Sequence, residues 1–232
     1  MFHLIELVKL RNKEPFAYHF SSSNVELLKK HHNDIFERFS NYEISTHVLS
    51  TDYASWSSVI DMDPYFSNVK CIENIDEFGE FLSKETKISS SDICSYLLGK
   101  IGFSSDFKKM EKLLYFVYSD FLEMTHKSLF PQKFDAWQYG PVEPKSRYCR
   151  IRSDLPNINE SIDKLLFSDN SNDIFSSLEK IIKIYGNKST KELIDLTHKN
   201  GSPWQKNYVK GLNKRISDSD ILKYHNVEKI GN

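Results

Sequence analysis

Residues Lys112 to Tyr148 read KLLYFVYSDFLEMTHKSLFPQKFDAWQYGPVEPKSRY, and this stretch decides the fold. Its first part is apolar on nearly every side, with Leu113, Leu114, Tyr115, Phe116, Val117, Tyr118, Phe121, Leu122 and Met124 leaving almost no polar stripe. A helix of that kind sits in the middle of a core. The second part is an aromatic and glycine corner of Phe134, Trp137, Tyr139, Gly140 and Pro141. Gly140 permits a tight backbone there and Pro141 fixes φ. The corner is expected to pack against the central helix. Further on, Leu196 to Trp204 reads LTHKNGSPW, which suits a helix ending at Gly201 with Ser202 capping a second helix that starts at Pro203. Trp204 is expected to bury its ring at that junction.

Together these segments resemble the Panacea antitoxin domain family, known also through SocA-like and phage GepA-like proteins and formerly an uncharacterised domain family. The resemblance rests on Lys112-Leu113-Leu114-Tyr115, on Ala136-Trp137-Gln138-Tyr139-Gly140-Pro141-Val142, and on Leu196-Thr197-His198 leading into Gly201-Ser202-Pro203-Trp204. It covers residues 89 to 225 and does not reach residues 1 to 88, the region in which such a family is expected to carry partner choice. The resemblance implies a non-enzymatic antitoxin that neutralises a cognate protein toxin by direct binding and needs no cofactor. The alternative is a phage or mobile-element inhibitor, or a proteolytic adaptor, acting on a host protein. A DNA-binding autorepressor comes third.

Composition fits an α+β protein of two domains, a small α/β unit at 1–88 and a mainly helical one at 89–232. The halves differ electrically: residues 1–88 carry 9 Lys or Arg against 14 Asp or Glu, and residues 89–232 carry 22 against 18. An acidic first half does not suit phosphate contacts, and the slight excess in the second falls short of a nucleic-acid footprint, although the acidic field would steer a basic partner. Cys71, Cys94 and Cys149 are too scattered for a disulfide framework or a metal motif, which points to a reducing compartment. No apolar run approaches the roughly 20 residues of a membrane span, and MFHLIELVKL is no signal peptide. A cytoplasmic bacterial or phage protein is expected, the Lys-, Asn-, Ile- and Ser-rich composition suiting an AT-rich genome.

Periodicity predicts strands at Leu4–Leu10, Thr46–Ser50 and Asn68–Ile72. It predicts helices at Asn24–Phe39, with Val25, Leu28, Ile35, Phe36 and Phe39 inward, and at Ile75–Lys84, with Phe78, Phe81 and Leu82 inward. The polar stretch Ser83–Asp92 reads as the boundary. Beyond it, helices are predicted over Ile93–Lys100, Phe107–His126, Ser171–Tyr185, Lys191–Lys199, Pro203–Leu212 and Asp218–Tyr224, with an extended run at Lys133–Gln138 and a connecting excursion at 153–170.

Chemistry-bearing patterns are sparse. His31 with Asp34 has helical metal-pair spacing but no second segment to complete a site, so a solvated helix face is expected. His198 reads as a helix-end residue bonded to a carbonyl or favoured by the helix dipole. No nucleophile elbow or phosphate loop occurs, and Cys149 has no evident base. The basic run Lys145, Arg147, Arg150 and Arg152 around Tyr148 is the best case for nucleic acid, but reads first as a rim or protein contact. In the acidic half, Tyr53, Trp56, Tyr65 and Phe66 lie beside Asp61 and Asp63 in DYASWSSVIDMDPYF, a loop-like stretch with the make-up of a protein-binding hot spot or of the unit's own core.

Overall fold

Two runs rich in apolar and aromatic residues, Phe2–Val8 and Phe16–Ser22, build the first layer of the protein, whose computed structural model describes residues 1–230 apart from 12, 41, 103–105 and 152. The chain forms two units, one of Met1–Lys87 with Phe167–Asp169, the other of Ile88–Leu166 and the residues from Asn170 on. The fold is α+β.

In the first unit, β1 (Phe2–Val8) and β2 (Phe16–Ser22) form an antiparallel pair, β3 (Ser45–Ser50) pairs antiparallel with β1, and β4 (Lys70–Ile72) lies parallel to β2. The order is β3-β1-β2-β4. Because strand side chains alternate between faces, Val8, Phe16, Tyr18 and Ile72 meet α1 (Val25–Arg38) and α3 (Ile75–Thr86) through Ile35, Phe78 and Leu82. Ile5, Leu7 and Ala17 on the other face meet Val59 of α2 (Trp56–Met62) and Phe66 of the 3-10 turn Pro64–Asn68. Asn24 caps α1 by accepting the Glu26 N–H at 2.9 Å, and Leu28 and Ile35 face inward. Two expectations are corrected: Val25 and Phe36 are exposed, and His31 is no solvated residue, since its Nδ1 lies 2.6 Å from the Tyr18 hydroxyl and its ring stacks on Phe20.

The second unit is assembled on α5 (Phe107–Thr125), which is buried from Met110 to Leu122. Around it pack α4 (Ser90–Ile101), α8 (Ser171–Tyr185), α9 (Thr190–Thr197) and α11 (Asp218–Tyr224). A three-stranded sheet, ordered β6-β5-β7, comprises β5 (Phe134–Trp137), β6 (Gly140–Val142) and β7 (Arg215–Ile216). The remaining helices are α6 (Pro144–Ile151), α7 (Ile158–Leu166) and α10 (Pro203–Asn207).

Several polar groups within α5 hold another element, since a buried polar atom must find a partner. The Tyr115 hydroxyl donates to Glu228 at 3.0 Å and the Tyr118 hydroxyl to Asp218 at 2.8 Å. Asp120 accepts from Ser177 and Lys180 of α8.

Several boundaries differ from expectation. The serine run is not a linker: Ser90 and Ser91 are buried in the first turn of α4, where the Asp92 carboxylate accepts the Ser89 N–H at 2.9 Å. The excursion at 153–170 contains α7, and the helix from Pro203 ends at Asn207.

Candidate functional site

The turn between β5 and β6 pairs Trp137 with Gly140 and sets the backbone of Gly140 at φ +107. A side chain there would have to displace buried neighbours, because a Cβ would lie 2.6 Å from Lys112 Cε and 2.9 Å from Thr197 Oγ1. Lys112 reaches this turn from α5, fully buried, and its Nζ donates to the Pro141 carbonyl at 2.7 Å. The Glu111 carboxylate is 3.8 Å from the same nitrogen and is also paired with Arg147 of α6. Burial lowers Lys112 to about 8, because an ammonium loses its hydration shell there and recovers only part of it.

The second motif closes on the first. His198, at the C-terminal end of α9, stacks on Trp204 with ring centres 3.7 Å apart, and Trp204 stacks in turn on Tyr208. Trp204 Nε1 donates to the Trp137 carbonyl at 2.7 Å, joining α10 to the β5–β6 turn. Ser202 caps α10 through the Gln205 N–H and donates its own hydroxyl to the Thr197 carbonyl at 2.7 Å. His198 is therefore a stacked ring, with its pKa lowered by burial and then by the Lys112 charge. The corner itself is only partly in the core. Trp137 is half-buried with the Arg147 guanidinium 5.3 Å from its ring centre, and Tyr139 is exposed with Lys108 3.9 Å over its face. Trp137 Nε1 and His198 Nε2 are buried without a hydrogen-bond partner among the described residues.

Residues 110–205 match the family described as Antitoxin SocA-like, Panacea domain. Over this segment the chain is similar to the SocA-like Panacea domain. The match begins at Met110 and ends at Gln205, so it encloses Lys112, the β5–β6 turn, His198 and Trp204. The chain is also similar to Antitoxin SocA of Caulobacter vibrioides (strain NA1000 / CB15N), at 29% identity over 136 residues that cover 52% of this chain and 72% of the relative. No solved structure matches the chain. No helix among the described residues is long and apolar enough to cross a membrane.

Outside the Panacea corner, the basic run is split by its helix. Lys145 and Tyr148 are exposed, whereas Arg147 is engaged by Glu111 and Trp137, and Arg150 lies 4.7 Å over the Phe107 ring. Arg152 lies outside the described residues. Among the described residues, the run is therefore not a single basic strip for a phosphate backbone.

From Trp56 on, the aromatic stretch of the first unit is α2 and the 3-10 turn rather than a loop, whereas Tyr53 lies in the bend before α2. Phe66 is core, and Trp56 is half-buried, its ring 5.1 Å from His19 and 5.8 Å from Phe66. Tyr53 and Tyr65 are exposed, 72% and 53% respectively, and Asp61 is exposed as well. Asp63 is a cap, accepting the Tyr65 N–H at 3.0 Å. Sequence reasoning missed a second surface between α1 and the edge strand β3, a groove of about 340 Å³ lined by Phe2, Leu4, Val25, Leu28 and Val48 among others. Its signal in the sequence was the helical spacing of Val25 and Leu28, which line it from α1.

Proposed function

We propose that the protein is an antitoxin that neutralises a cognate protein toxin by binding it directly, without catalysis. The observation that carries this reading is the match of residues 110–205 to the SocA-like domain over the very residues that converge at the Lys112 corner. The corner's groups suit a structural junction with a hydrogen-bonding surface: its lysine is held by a carbonyl and its histidine is stacked. In this reading the first unit contributes recognition. It lies outside the matched segment, is acidic, and exposes Tyr53, Tyr65 and Asp61, a composition suited to a partner with a basic rim around an apolar centre.

The test is co-expression of the full chain with each neighbouring open reading frame. A neighbour that arrests growth alone, is tolerated with this chain, and co-purifies with it supports the reading. Rescue without a complex removes direct binding, and a lack of any rescued toxic neighbour removes the antitoxin role. Within such a complex, Tyr53→Ala is expected to weaken affinity by more than about 2 kcal/mol with an unchanged melting temperature, measured by calorimetric titration and thermal melts. Trp56 is the poorer probe, because its ring also packs against the unit's own core.

A further inference from the structure

Three donor side chains of different chemistry meet on one face of the N-terminal sheet. His19 is on β2, and Cys71 and Glu73 are on and just beyond β4, the strand parallel to it. His19 Nδ1, Cys71 Sγ and a Glu73 carboxylate oxygen all lie within 4.8 Å of one another. His19 is buried, Cys71 is half-buried, and the Glu73 side chain is 71% exposed, so the cluster has a floor and an open side.

A second histidine fixes which nitrogen of His19 faces the cluster. His3 Nε2 lies 3.0 Å from the Tyr53 carbonyl, which only accepts, so that nitrogen carries a proton. Thr51 Oγ1, 2.8 Å from the same nitrogen, donates its own proton to the Tyr53 carbonyl and therefore also accepts. In a neutral His3 ring, Nδ1 is therefore a bare acceptor, 2.9 Å from His19 Nε2. His19 must then donate through Nε2. The Nδ1 of a neutral His19 then turns a lone pair toward the Glu73 oxygen 3.4 Å away and toward Cys71. A lone pair, a thiol and a carboxylate facing one another lack a positive centre. An imidazole whose other N–H is held by a fixed acceptor is the usual outer support of a metal-bound histidine.

We propose that His19, Cys71 and Glu73 form a zinc-binding site, with His3 as the positioning residue that holds the His19 ring. The mixed nitrogen, sulfur and oxygen set suits a borderline-soft divalent ion, and three protein ligands leave a fourth position for water or a partner group. On binding, a Zn–S bond forms and the Cys71 thiol proton is released to solvent. The site is independent of the antitoxin reading, and its test uses neither toxin nor growth.

The experiment titrates Co²⁺, then Zn²⁺, into chelator-treated full-length protein and records the absorption spectrum. An equimolar Co²⁺ complex is expected to show a thiolate-to-metal charge-transfer band that Zn²⁺ abolishes by displacement. Cys71→Ser should lose the band, whereas Cys149→Ser should keep it. Glu73→Gln, at an exposed position, should weaken binding at least tenfold. His3→Gln should weaken it by about 10- to 100-fold with the band retained, as a positioning role requires. Circular dichroism checks that each variant is folded. No band in the parent, a band that survives Cys71→Ser, or unchanged affinity in Glu73→Gln would overturn the proposal. Because Glu73 is not part of the core, that last arm stands even where a change at the buried histidine disturbs the fold.

Discussion

Lys112 and Gly140 show how two residues constrain one another. The lysine occupies the space that any side chain at Gly140 would need, and the positive φ of Gly140 is itself unfavourable for other residues. Gly140→Ala is expected to cost at least about 2 kcal/mol, seen as a lower midpoint in urea melts. Lys112 gives the fold a pH signature. Its folded pKa of about 8 lies below the ordinary 10.5, so the unfolded chain binds more protons between those values and stability rises with pH across that window. The slope from one such group is at most about 1.4 kcal/mol per pH unit. Lys112→Met is expected to flatten this rise, and melts of parent and variant from pH 7.5 to 10.5 measure the difference in slope. The sequence marked both residues as motif members, but not that the ammonium lies under the glycine. A linear pattern carries no information about a contact between a helix and a turn 28 residues away.

At the scale of elements, α6 separates two kinds of basic residue that look alike in sequence. Arg147 neutralises the buried Glu111, so Arg147→Ala should destabilise on the order of 2 kcal/mol by leaving a carboxylate without its partner. Lys145→Glu on the exposed face should leave stability within about 0.5 kcal/mol. Chemical denaturation of the two variants side by side tests the contrast. Elements with strong periodicity or caps were legible: Ser171–Tyr185 and Asp218–Tyr224 were predicted with their observed limits, and Asn24 sits at the predicted start of its helix. The second strand, Phe16–Ser22, and α2 were not. β2 is buried on both faces and lacks clean alternation, and α2 is a two-turn helix whose serines and aspartate imitate a loop. The serines of α4 misled for the opposite reason, since small polar residues can be buried when their hydroxyls cost little volume.

At the scale of the molecule, the acidic excess lies in residues 1–88, the unit that also exposes Tyr53 and Tyr65. Asp61→Lys is expected to slow association with a basic toxin several-fold and to blunt its salt dependence, with little change in dissociation. Stopped-flow mixing at two ionic strengths separates those effects. Asp63 is unsuited to the same experiment because it holds the 3-10 turn. The α+β class and the Panacea motifs were visible in the sequence, and the convergence of the motifs was not. Nor was the His19 cluster, whose histidine and glutamate are 54 positions apart.

That separation orders events in time. The β1–β2 pair closes through a short connection and can form early, whereas β4 joins β2 only after α1, β3 and α2 have been traversed. Contacts between distant positions form late, since the entropy of closing the long loop must be lost before they stabilise anything. Cys71 and Glu73 therefore reach His19 when the sheet completes, and an ion held by all three would slow the reopening of its last strand.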